Sequence, residues 1–212
     1  MTNGYFSKIY SQSFSEMAQP IYLKNAKGWM LKKNIPNSKF SDLIGCYPYL
    51  CCQNWEYLAK DLNDLNLSDI VSMSFVTDPF AKFNDEAMCS SFDFVKPFKN
   101  HFIVNLTSYS KDLITKHHKR EVHRSSNKGV EIELCQKPIS HLSEWNKLYN
   151  DLIIKHNIKG LSKFSPESFR TQLSTPGSFM FRAYRGNQTL GYSLWYVENE
   201  VAYFHLTAND KT

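Results

Sequence analysis

Three strand-like runs separated by short polar breaks close the chain: residues 179–184, 189–197 and 201–207. They are dense in aromatic and β-branched residues, which suit a pleated surface packed on at least one side. The breaks, Arg185-Gly186-Asn187-Gln188 and Glu198-Asn199-Glu200, leave room for hairpin turns and nothing longer. The pattern predicts a three-stranded antiparallel meander. A sheet this apolar needs a covered face, and the two helix-like segments upstream are its expected cover.

The first of these runs from about Leu142 to Asn157, with Trp145, Leu148, Tyr149, Leu152 and Ile153 on one stripe. The second opens with Ser165 as N-cap, Pro166 in the first helical position and Glu167 in the first turn. Phe169 and Leu173 form its buried pair, and Pro176-Gly177 stops it. Before them, Val130-Glu131-Ile132-Glu133-Leu134 alternates apolar and acidic residues like a half-buried strand. Ser110 to Asn127 reads as a basic helix with few apolar anchors (Leu113, Ile114, Val122), ended by Gly129.

In the first half, Ile21 to Lys33 predicts a hairpin turning at Asn25–Gly28. Ile44 to Cys52 is apolar but contains Pro48, which restricts it to an edge strand. Asn54 is placed to cap a helix bearing Leu58, Leu62 and Leu65. A strand is expected over Ile70–Val76, stopped by Asp78-Pro79, with further strands over Phe92–Phe98 and His101–Leu106. The expected division is an N-terminal α/β lobe over residues 1–108 and a second domain over 109–212.

Composition narrows the classes. A hydrophobic fraction of 42% and an aromatic fraction of 15% fit a globular core and argue against disorder. No apolar run approaches the roughly 18–20 residues of a transmembrane helix, and the polar N-terminus lacks a signal-peptide core, so a cytoplasmic location is the expectation. The five cysteines, Cys46, Cys51, Cys52, Cys89 and Cys135, lack zinc-site spacing, and free thiols with no bound metal are expected. Residues 109–128 hold six basic and two acidic residues, so most of the net charge of +5 sits in the basic helix.

From Gly129 onward the order strand, helix, helix, then three antiparallel strands resembles the first half of the GNAT acyltransferase fold. The run Lys128-Gly129, Val130-Glu131-Ile132-Glu133 and Trp145-x-x-Leu148-Tyr149 resembles the Fem-type branch. Peptidoglycan-bridge aminoacyltransferases and acetyltransferase-like domains make up that branch. His156-Asn157-Ile158-Lys159-Gly160, Pro176-Gly177 and Leu194-Trp195-Tyr196-Val197 add to the likeness, which covers about residues 110–208. The resemblance implies an α+β fold: a mixed, mostly antiparallel sheet flanked by helices, with a second partial GNAT-like lobe at the N-terminus. It implies transfer of an acyl group from acyl-CoA or aminoacyl-tRNA to a small-molecule or peptide amine.

In the family the fourth strand binds the pantetheine arm. Residues 201–207 stand there, with Val201, Phe204 and Leu206 as cofactor-binding positions. The glycine-bearing pyrophosphate loop that follows in the family is absent from Ala208-Asn209-Asp210-Lys211-Thr212. A C-terminally truncated transferase, impaired in acyl-CoA binding and self-associating through its open sheet edge, is the expectation.

Strand alternation places Tyr203, His205 and Thr207 on one face. His205 is a candidate base for an attacking amine and Tyr203 a candidate proton donor to the leaving group; both also fit as packed sheet residues. Thr77-Asp78-Pro79-Phe80 reads as a turn whose Asp can bind a substrate amine. Lys119, Arg120 and Arg124 are anion-binding candidates for cofactor phosphates or tRNA, or belong to a solvated helix. The alternative function is a non-catalytic interaction module or pseudoenzyme whose basic helix binds an acidic partner or RNA.

Overall fold

The computed structural model describes residues 2–65, 68–108 and 114–210. Two four-stranded sheets organise it. In the first, β1 (Gln19–Leu23), β2 (Gly28–Asn34) and β3 (Ser41–Gly45) are antiparallel, and β4 (Ile70–Ser74) adds parallel to β3. The second sheet has the order β5 (Glu131–Cys135), β6 (Ser178–Arg185), β7 (Gln188–Glu198), β8 (Val201–Asn209), antiparallel throughout. The expected meander is present. So is the β1–β2 hairpin, whose turn is held by the buried Asp61 carboxylate accepting from the backbone of Asn25 and Ala26, each at 2.8 Å.

The helices are α1 (Lys8–Gln12), α2 (Leu58–Asp64), α3 (Asp85–Ser91), α4 (Lys116–Asn127), α5 (Leu142–His156) and α6 (Pro166–Leu173). Helix α5 buries Trp145, Leu148 and Tyr149, and α6 buries Phe169 and Leu173. The Trp145 and Phe169 rings meet edge-on at 5.5 Å between centroids. Burying side chains of this size stabilises by about 1.5–3 kcal/mol each. The Ser165 hydroxyl caps α6 by accepting from Ser168 N–H.

The two sheets share a core. Leu31, Cys46 and Cys51 from the first lobe pack in one cluster with Tyr196, Tyr203 and Leu173 from the second. The N-terminal residues are the mortar: Tyr5, Tyr10 and Phe14 are buried in that cluster, and Gly4 N–H donates to Pro176 C=O at 2.9 Å. A separate cluster of Leu23, Met30, Leu43, Leu58 and Leu62 lies between α2 and the other face of the first sheet.

Several expectations need correction. The apolar run at 44–52 is not an edge strand: β3 lies earlier, at Ser41–Gly45, between β2 and β4, and Pro48 follows it in a cis peptide with Tyr47. The expected strands over 92–98 and 101–106 are irregular, exposed chain, and α3 was not foreseen. The basic helix starts at Lys116, capped by the Thr115 side chain; the part expected over 110–113 lies outside the described residues. In β5 the expected half-burial fails: residues 131–134 are all exposed and only Cys135 is buried. Ile132 and Leu134 are exposed, while Glu133 pairs with Arg182 at 3.4 Å and Glu131 accepts from the Tyr184 hydroxyl at 3.1 Å.

Candidate active site at the seam of the lobes

A β-bulge sets the geometry of β8. Trp195 pairs with Phe204 but Leu194 pairs with Leu206, so His205 is the extra residue. The alternation therefore slips by one. Tyr203 and His205 point into the core, as does Ala208, whereas Thr207 pairs with Ser193 on the exposed face beside Phe204. The expected single face for Tyr203, His205 and Thr207 fails at Thr207 for this reason.

His205 is buried and both its ring nitrogens are engaged. Nδ1 accepts from the Tyr5 hydroxyl at 2.9 Å, and Nε2–H donates to Gln172 Oε1 at 3.1 Å. Gln172, fully buried on α6, is itself fixed by donating to Ser168 Oγ. Burial removes solvation from the imidazolium and pushes the His205 pKa down to about 3. The ring is a neutral strut between the N-terminal segment, α6 and β8.

Tyr203 reaches the other lobe. Its hydroxyl donates to the Asp78 carboxylate, 3.2 and 3.3 Å from the two oxygens. Asp78 follows the short parallel bridge of Thr77 with Leu50, and its backbone N–H donates to Leu50 C=O at 3.1 Å. Its side chain also accepts from Phe80 N–H at 3.0 Å. Burial raises the Asp78 pKa, against the opposing effects of Phe80 N–H, Tyr203, His101 and Cys51. Burial, with the Asp78 charge second, also holds Tyr203 protonated far above the usual phenol range. Phe80 packs edge-on against Tyr203 at 5.7 Å, and Tyr49 lies against His101 at 5.4 Å.

The neighbouring chain forms a cleft of about 300 Å³ lined by Ile44–Pro48, Ser74–Val76 and, from the second lobe, Leu161. Asp78 lies two residues beyond one wall and Tyr49 one residue beyond another. Cys46, also on the wall, has its thiol pushed up to about 12 by burial, so it is no thiolate nucleophile at neutral pH.

The remaining predicted residues lie apart. Val201 is half-buried at the start of β8, Phe204 is exposed on the outer face, and Leu206 packs towards the shared core. Among the described strands β8 pairs with β7 alone, leaving it at the sheet edge. Lys119, Arg120 and Arg124 are exposed on α4, which buries no residue. Among the described residues no cluster of three or more His, Cys, Asp or Glu side chains is arranged to hold a metal, and no helix is long and apolar enough to cross a membrane.

Sequence reasoning missed Tyr5 and Gln172, whose roles arise from contacts across 200 and 33 residues of chain. It also missed a polar network in the second lobe. There the Tyr192 hydroxyl and Thr189 Oγ1 both donate to Glu144, and Arg182 donates to Thr189 at 2.9 and 2.8 Å.

No family model and no curated protein sequence matches the chain. Among solved structures it is similar to the C-terminal (DUF2156) domain of a protein named as a lysylphosphatidylglycerol synthetase from Agrobacterium fabrum. The TM-score is 0.53 at 10% identity, over 99% of this chain and 65% of that one. The fold is GNAT-like. It is the mixed α+β arrangement of two mostly antiparallel sheets flanked by helices. The chain spans 65% of the length of that neighbour, and at this identity the likeness carries the fold alone.

Proposed function

We propose that the chain is a Fem-type acyltransferase of the GNAT superfamily that moves an aminoacyl or acyl group to a primary amine at the seam of its lobes. The observation that supports this best is the Asp78–Tyr203 pair, a carboxylate with raised proton affinity bonded to a phenol across the two lobes. Asp78 accepts a hydrogen bond from the acceptor's free amine. Once the amine attacks the donor carbonyl carbon, the amine proton passes to the Asp78 carboxylate, for which a raised pKa is an advantage. Tyr203 gives its proton to the departing thiolate or ribose oxygen and takes one back from Asp78 across their hydrogen bond. His205, neutral and doubly bonded, holds β8 at the bulge, so its part is positioning and the proton transfer belongs to Asp78.

The lysyl group in the name of the similar structure favours an aminoacyl donor over acyl-CoA. The test is a transfer assay with each donor class and simple amine acceptors, with the product read by mass spectrometry. A new amide formed from the aminoacyl ester supports the reading. Absence of product with both donors, from a folded chain, overturns it.

A second reading, a non-catalytic module docking on an acidic partner or RNA, is favoured by one observation: α4 presents Lys119, Arg120 and Arg124 to solvent and buries nothing. Binding of tRNA that weakens steeply with salt, without any transfer, would select it.

A further inference from the structure

Residues 94–106 form an irregular run that displays apolar side chains to solvent. Exposure rises from 60% for Phe98, through 61% for Ile103 and Val104 and 75% for Phe94 and Leu106, to full exposure for Phe102. A soluble surface seldom gathers so many large apolar groups in one segment without a partner. Lysines are interleaved with them. Lys96 Nζ lies 5.5 Å from the Phe94 ring centroid, and Lys99 Nζ lies 5.0 Å from that of Phe98. Each pair presents a ring with an ammonium at its face, the arrangement of amphipathic side chains at an apolar–aqueous boundary.

Charge identifies the partner. Between Phe94 and Gly129 the described residues include seven Lys and Arg against one acid, Glu121. Five of those cations lie on or directly after α4, which packs none of its side chains into the fold. RNA would use the cations but has no use for Ile103, Val104 and Leu106. Nucleic acid stacks on aromatic rings and leaves aliphatic groups unsatisfied. An anionic bilayer uses both. Its headgroups attract the cations, and the acyl boundary accepts rings and aliphatic chains alike.

We infer that residues 94–106 dock this chain peripherally on an anionic lipid surface. Phe94, Phe98, Phe102 and Ile103 enter the headgroup–acyl boundary, while Lys96 and Lys99 stay at phosphate level. The cations of α4 supply the attraction that brings the chain there. The inference does not depend on the transferase reading: of the segment only His101 reaches the surroundings of Asp78, and the residues that enter the lipid do not.

The experiment is co-sedimentation of the full chain with phosphatidylcholine vesicles, with and without phosphatidylglycerol, at low and high salt. The expected result is binding to the anionic vesicles that weakens with salt. Neutralising Lys96 or Lys99 to Gln should weaken it by about fivefold each at low salt. Phe98→Ser and Phe102→Ser should each cost about tenfold, with an unchanged circular dichroism spectrum. Any of these results overturns the inference: no binding, equal binding to neutral and anionic vesicles, serine variants that bind like the parent, or displacement by tRNA that the serine substitutions leave unaffected. Light scattering provides the remaining arm. Vesicle-free assembly that the same serines abolish would assign the surface to a second copy of the chain and overturn the lipid assignment.

Discussion

Acidification should unlock the seam through His205. The folded ring is neutral, with a pKa near 3, against an ordinary value of 6.5. Between those values the unfolded chain binds a proton that the folded chain excludes. Stability is therefore fully present above pH 6.5 and declines as pH falls towards 3. At roughly 1 kcal/mol or a little more per unit of separation, the loss from this ring is on the order of 1 kcal/mol one unit below its unfolded pKa and about 3 kcal/mol two units below. That is a large part of a typical 5–15 kcal/mol stability, at about that order. The assay is urea unfolding at a series of pH values, comparing the parent with His205→Gln, whose amide does not titrate. The variant is expected to start less stable but to show a flatter pH dependence, because only the parent carries the His205 contribution. Parallel curves would refute the reasoning, as would an NMR titration placing the His205 midpoint near 6.5.

Other perturbations test other joints. Tyr5→Phe keeps the edge-on ring contacts but leaves His205 Nδ1 without its donor, at a cost of about 1–3 kcal/mol by thermal or urea unfolding. Gly177→Ala should destabilise more than an ordinary surface change. Its φ is +78° and the new Cβ would lie 2.4 Å from Val197 O and 2.9 Å from Asn3 Cβ, so hydrogen exchange at residues 3–6 should rise as well. Asp61→Ala should cost about 2–4 kcal/mol through the unpaired turn amides of Asn25 and Ala26, measured by urea unfolding. The β8 edge and its exposed Phe204 should support concentration-dependent self-association, which Phe204→Lys reduces in sedimentation velocity.

The second lobe was legible because its signals are local. Short polar breaks fix the hairpins of β6, β7 and β8, and Ser165-Pro166-Glu167 marks the start of α6 whatever surrounds it. The errors fall where tertiary context decides. Alternation in β5 reports which residues share a face, not whether that face is covered, so Ile132 and Leu134 were expected inside a strand whose first four residues are all exposed. The residues at 101–106 have strand composition, but a strand needs a neighbour, and among the described residues none pairs with it. The site was half legible. Tyr203 and Asp78 were each singled out, but their pairing spans 125 residues, and the bulge that turns Thr207 outward has no glycine or proline to announce it.

The most direct test of the central claim is the pH profile of transfer by the parent and by Asp78→Asn, which preserves the shape of the side chain. If Asp78 takes the acceptor's proton, parent turnover rises with pH through the raised carboxyl pKa. In the variant that limb disappears and kcat falls by about 10²–10⁴-fold, with donor affinity little changed. A variant that turns over at the parental rate with the same pH profile would contradict the account.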